Sequence, residues 1–225
     1  MDKPRPPRPA IIVHAGAWAI PPEEKEAHRA GCLAAVAAGW QVLLEKGKAI
    51  DAVRAAIRSM EDDVNLNAGS GSVLTRGGHV ECDAGLMHGT TLDCGGVAGV
   101  RNRKNPIEAA YALLESKYVL MTGAGGMHYL DELGVPSVDP ESLIEPRERD
   151  RLQDALERDP ADGLDFGHGG VNMPGDTVGA VAIDHIGRIA AGASTGGICG
   201  KPPGRMGDTP IPGAGYYADD LAAGA

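Results

Sequence analysis

A chain of 225 residues, with 43% hydrophobic and 23% charged residues, is long enough for one sizeable core, and a single domain over 1–225 is expected. Its formal net charge of −10 argues against nucleic acid as a partner, because that polyanion demands a basic surface. No apolar run approaches the roughly 18 residues of a membrane span, so no membrane partner is expected either.

Glycine accounts for 33 residues, about twice the usual frequency, and aromatics for only 4%. That bias predicts many tight turns and close backbone approaches. Cys32, Cys82, Cys94 and Cys199 show no CxxC and no matching histidine spacing. Reduced thiols in a cytoplasmic protein, with no metal site among the side chains, are the expectation. The opening "MDKPRPPRP" has no apolar segment behind it and reads as a frayed arm, not a signal peptide.

The first predicted element is a strand in "AIIVHAG", residues 10–16. A helix follows, with Leu33, Val36, Trp40 and Leu43 on its apolar face and Gly47 near its end. A second helix starts near Asp51, burying Val53, Ile57 and Met60. Short β pieces over Ser72–Thr75 and His79–Met87 flank an Arg-Gly-Gly turn. "DCGGVAGV" reads as a strand and "NPIEAAYALLE" as a helix entered through Asn105 and Pro106. "MTGAGG" reads as a glycine-rich loop that lacks the Lys and Ser/Thr of a phosphate-binding loop.

From 139 to 176 the chain is charged, with a short helix through Leu152 and Leu156 and then a mobile linker over 157–176. "TVGAVAID", a turn at His185–Gly187 and "RIAAGAS" form an apolar hairpin. Hairpin groups imply antiparallel sheet, so the expected class is α+β with helices packed outside the sheets.

A threonine, Thr177, opens that hairpin straight after the linker. Were the Asp176–Thr177 bond cut, the new α-amine, with a pKa of about 7.7–8, could take the proton of the Thr177 hydroxyl. Thr177 would then be a nucleophile without a histidine partner; the alternative is an ordinary β-branched strand residue with a locally bonded hydroxyl. Downstream, "STGGICGKPPGRMGDTP" places Thr195 where it could face Thr177 across the sheet. Arg205 and Asp208, three apart in a glycine-rich loop, suit an amino-acid head group: guanidinium for α-carboxylate, carboxylate for α-ammonium. The alternative for that couple is a surface ion pair.

The stretches "GDTVGAVAID", "GRIAAGASTGG" and "GRMGDTPIPGAGYYAD", with "VHAGAW" and "MEDDVNLNAGSGSVLTRGGHVECDAGLMHG" upstream, resemble the plant-type asparaginase and isoaspartyl peptidase family of N-terminal-nucleophile hydrolases. The resemblance runs from about residue 10 to 220. It implies a four-layer αββα sandwich, cleaved after Asp176 into a large segment, 1–176, and a small one starting at 177. It implies Thr177 as nucleophile, Thr195 as its assistant, Arg205 and Asp208 as substrate-binding residues, and Asn67 as support near the nucleophile. It also implies a structural sodium ion on backbone carbonyls of the "MEDDVNL" loop, no cofactor for catalysis, and a dimer of cleaved protomers.

The implied substrates are small molecules, L-asparagine or β-aspartyl dipeptides, with a glycosylasparaginase-like amidase as an alternative. Two departures accompany the resemblance. Ala193 stands where such proteins usually carry another threonine, and no TGxGE-like stretch, the implied source of oxyanion-hole donors, follows "YYADD" before Ala225. A truncated small segment is therefore expected, or else a degenerate relative that only binds ligand or partner subunits.

Overall fold

The computed structural model describes residues 7–18, 20–158 and 177–225. Its centre is a six-stranded sheet in the order β1-β5-β6-β2-β3-β4. The strands are β1 (Ala10–His14), β2 (Cys82–His88), β3 (Cys94–Val100), β4 (Leu120–Thr122), β5 (Val178–Ile183) and β6 (Ile189–Thr195). All neighbours are antiparallel except β3 and β4, which run parallel, so the expected all-antiparallel sheet is corrected at that edge. "MTGAGG" is corrected too. It is no loop: its first residues belong to β4 and its glycines open helix α4 (Gly123–Glu132).

The central strands are built almost entirely of small residues, and the reason is that both faces of the sheet are covered closely. On one face, a Cβ at Gly95 would lie 2.2 Å from the Ala110 carbonyl oxygen of helix α3 (Pro106–Leu113). On the other, a Cβ at Gly85 would lie 2.1 Å from the Tyr216 ring. Glycine in these strands admits the neighbouring layers, which accounts for much of the unusual composition.

Helices α1 (Lys25–Leu44), α2 (Ala49–Glu61) and α3 cover the first face. Helix α2 lies directly on the sheet and buries Ile50, Val53, Ile57 and Met60. The expected apolar face of α1 is rotated. Leu33 and Trp40 are exposed, and the buried positions are His28, Gly31, Ala35, Gly39 and Leu43. A Cβ at Gly39 would lie 2.8 Å from the Ala52 carbonyl oxygen, so α1 packs on α2 through its smallest residues, where the backbones can approach most closely.

On the opposite face lies a two-stranded ribbon of β7 (Tyr217–Ala218) and β8 (Ala223–Gly224), with Tyr216 and Ala218 packed on Met87 and Ala191. Helices, sheet and ribbon give the succession α, β, β of the expected sandwich; a fourth, helical layer is not among the described residues. Helix α5 (Pro146–Arg158) closes a smaller core around Val73, Leu74, Cys82 and Cys199. The linker expected from 157 starts within α5, and its remainder, 159–176, lies outside the described residues. Among the described residues no helix is long and apolar enough to cross a membrane.

The β5–β6 turn also fastens the helical layer. Helix α2 has no side-chain cap from its own N-cap residue, Lys48; instead the Ala49 N–H donates to Asp184 Oδ2 at 3.3 Å. Asp184 is buried and further accepts from the Ile186 and Arg188 N–H groups and from the Arg188 guanidinium. Burial pushes its carboxyl up, but these hydrogen bonds outweigh it and hold the group below the usual range. Asp184→Asn should cost about 1–3 kcal/mol at pH 7, read by chemical denaturation. A depressed folded pKa stabilises above the unfolded value of about 3.9 and is lost as pH falls through the folded one, so the gap should close below about pH 4.

Candidate active site

The β5–β6 pairing sets the geometry of the site. Val178 pairs with Ser194, so Thr177, one residue before β5, stands level with Thr195 at the end of β6. Thr177 is half-buried and Thr195 buried. The sequence expectation that these two threonines lie on neighbouring strands therefore agrees with the register. Asp176 lies outside the described residues.

Around the pair, the turn after β6 is held from a distant part of the chain. Asn67 donates through Nδ2 to the Gly197 carbonyl at 2.7 Å, and its own carbonyl accepts from the Gly196 N–H at 3.0 Å. Asn67 Oδ1 accepts from the Val73 N–H at 3.0 Å, which fixes the amide orientation. The Gly197 N–H donates to Thr195 Oγ1 at 2.9 Å. Asn67 thus reaches Thr195 through the Gly196–Gly197 turn, a supporting position next to the threonine pair.

A third threonine completes the group. Thr209 is buried, and its Oγ1 lies 3.3 Å from Thr177 Oγ1 within hydrogen-bond reach. Sequence reasoning passed it over, although a signal was present: Thr209 ends a second Gly-Asp-Thr tripeptide, 207–209, matching 175–177. Beneath the threonines sits a buried carboxyl that was also missed. Glu61 Oε1 accepts from the Ser194 hydroxyl at 2.6 Å and the Ile107 N–H at 2.9 Å. Burial pushes this group up to about 8, against the pull of those two hydrogen bonds, so it is largely neutral at pH 7.

Arg205 and Asp208 sit on the loop that leads into Thr209. Arg205 is half-buried and Asp208 exposed. They do not pair with each other, and neither side chain is committed to a hydrogen bond or ion pair among the described residues. A cation and an anion three residues apart and next to a hydroxyl cluster suit a zwitterionic ligand.

The loop after α2 has the donor set for a hard cation. A Cβ at Gly71 would lie 2.1 Å from the Leu66 carbonyl oxygen, 2.7 Å from that of Val64 and 2.9 Å from that of Asp63. Each carbonyl accepts one hydrogen bond, from the Ala68 N–H, the Arg147 guanidinium and the Leu66 N–H respectively, and keeps a second lone pair. Neutral carbonyl oxygens converging on one point fit sodium better than a transition metal. Among the described residues no group of three His, Cys, Asp or Glu could hold a metal ion.

Comparison with known proteins gives the family. A family model described as Asparaginase matches residues 7–225. The isoaspartyl peptidase/L-asparaginase of Danio rerio is 42% identical over 213 residues, which is 94% of this chain and 67% of that protein. The human protein of the same name is 39% identical over 214 residues, covering 94% of this chain and 68% of its own length. The plant-type L-asparaginase of Pyrococcus abyssi is 42% identical over 221 residues, 95% of this chain and 71% of that protein. With a fold of the expected kind and matches of this extent, the chain belongs to the asparaginase family.

Proposed function

We propose that this protein is a self-processing threonine amidohydrolase that converts L-asparagine to L-aspartate and ammonia and hydrolyses β-aspartyl dipeptides. The names of its relatives, isoaspartyl peptidase/L-asparaginase and plant-type L-asparaginase, support the substrate class. The observation that carries the mechanism is the placement of Thr177 at the head of a central strand, level with Thr195 and with the Thr209 hydroxyl 3.3 Å away.

Hydrolysis of the 176–177 peptide bond gives Thr177 an α-amine that is partly neutral near pH 7. That amine takes the proton of Thr177 Oγ1 as the oxygen attacks the side-chain carbonyl of the substrate. The tetrahedral intermediate collapses, the C–N bond breaks, and ammonia or an amino acid leaves with the proton. Water then attacks the β-aspartyl ester, releasing aspartate and restoring the hydroxyl. Thr195 and Thr209 orient the nucleophile, Asn67 holds the adjoining turn, and Arg205 and Asp208 grip the substrate's α-carboxylate and α-ammonium. Orientation of this kind can lower a barrier by several kcal/mol.

A sodium ion on the carbonyls of Asp63, Val64 and Leu66 belongs to the same reading, as a stiffener of the loop that ends in Asn67. So does a dimer of cleaved protomers, on the strength of the family resemblance. A cytoplasmic setting is supported by four cysteines that form no disulfide.

Denaturing mass spectrometry should resolve the purified protein into two pieces, the smaller beginning at Thr177. Thr177→Ala should stay intact and inactive; a Thr177→Ala sample that still processes itself would refute the assignment. Thr209→Val should slow turnover about tenfold, the scale of one lost hydrogen bond, while Thr209→Ser stays close to wild type. Melting in sodium chloride should exceed melting in choline chloride of equal ionic strength by about 2–4 °C per kcal/mol of binding energy, and Gly71→Ala should abolish the difference.

A further inference from the structure

The mechanism above gives no task to the two acidic residues at the start of β2, Glu81 and Asp83, although both are buried. Buried carboxylates are costly, and each must be offset by hydrogen bonds or positive charge. Glu81 immediately precedes β2 and Asp83 is its second residue, and the carboxylates of both reach the 204–207 loop. Asp83 pairs in register with Thr195, so the couple stands beside the threonine cluster.

Their hydrogen bonds go to one place. Glu81 Oε2 accepts from the Gly204 N–H at 2.8 Å, and Asp83 Oδ2 accepts from the Gly207 N–H at 3.4 Å. These glycines flank Arg205 on either side, and Gly207 immediately precedes Asp208. The remaining oxygens are anchored within the sheet: Asp83 Oδ1 accepts from the Gly99 N–H at 2.9 Å, and Glu81 Oε1 from Arg101 Nε at 2.9 Å. Lys201, fully buried at the start of the same loop, donates through Nζ to the Glu81 carbonyl at 2.7 Å. Its charge and that of Arg205 stabilise the Asp83 carboxylate, whose pKa burial pushes up.

We infer that Glu81 and Asp83 are positioning residues for substrate affinity: one just before β2 and one within it, they suspend the 204–207 loop by its backbone N–H groups and so set where Arg205 and Asp208 meet the α-carboxylate and α-ammonium. The inference rests on the reading of Arg205 and Asp208 as the head-group clamp. The 204–207 segment, with glycine at both of its ends, has little stiffness of its own. Charge-assisted bonds to a rigid strand supply it, and neutral acceptors would hold it less firmly.

The test is a double-substitution cycle on the protein assayed with L-asparagine, with inhibition by L-aspartate as a second measure of head-group affinity. Glu81→Leu and Asp83→Val, which remove the acceptors, should each raise KM and the L-aspartate inhibition constant about tenfold while kcat changes less than threefold. Glu81→Gln, which keeps an acceptor for the Gly204 N–H, should recover most of the affinity. In an Arg205→Ala background Glu81→Leu should add less than twofold, because it acts through the missing side chain.

An undiminished effect in that background, or a KM within twofold of wild type for Glu81→Leu while Arg205→Ala is strongly impaired, would overturn the inference and leave the clamp standing. A normal KM for Arg205→Ala would instead remove the clamp itself, and this inference with it. If Asp83→Val does not fold, Glu81→Leu and the cycle decide alone. If neither variant folds, the two carboxylates serve the core and the inference fails.

Discussion

The register between β5 and β6 is the constraint on which the site depends. Side chains alternate between the faces of a strand, so a slip of one residue would send Val178, Ala180 and Ala182 from one face to the other and separate Thr177 from Thr195. Several features oppose such a slip. The turn is locked by Asp184, whose carboxylate accepts from the backbone N–H groups of Ile186 and Arg188 and from the first turn of α2. At the far end Ser194 is tied to Glu61 at the end of α2. The hairpin is therefore pinned to one helix at both of its ends, and the threonines inherit that placement.

Buried polar groups concentrate at the same end of the sheet. Glu61, Glu81, Asp83, Lys201 and Thr209 are each almost wholly removed from solvent. A core assembled for stability alone would avoid this density of desolvated groups. Two of them hold the backbone N–H groups of the loop that carries Arg205 and Asp208, Gly204 for Glu81 and Gly207 for Asp83, while Ile107 of α3 and Gly99 of β3 donate to Glu61 and Asp83. The physical effect is to transfer the rigidity of the sheet to loops that lack any of their own.

Small residues serve two distinct purposes in the fold. In β2 and β3 they let flanking layers approach the sheet, Ala110 from one side and Tyr216 from the other. In α1 they let one helix lie against another, with Gly39 over the backbone of α2. The scarcity of aromatics follows from this, since tight spacing leaves little volume for large rings. Tyr216 is the exception, lying over Gly85 where the strand offers no side chain.

Much of this was legible in the sequence. The hairpin around His185–Gly187, the helix entered at Asn105 and Pro106 and the buried face of α2 follow from local periodicity and punctuation, which depend on neighbours along the chain. The placement of Thr177 level with Thr195 was legible too, because a hairpin that turns at 185–187 brings its two outer ends together. What only the tertiary structure decided are relations between distant segments. Periodicity weighs apolarity and not size, so it chose Leu33 and Trp40 where packing chose Gly31, Ala35 and Gly39. The glycines of "MTGAGG" suggest a loop, yet the parallel edge of β3 draws Leu120–Thr122 into the sheet and leaves those glycines to begin α4. Thr209 beside Thr177, and Glu81 and Asp83 under the 204–207 loop, come from contacts over 30 to 120 or more positions, where no local pattern can select one partner from many.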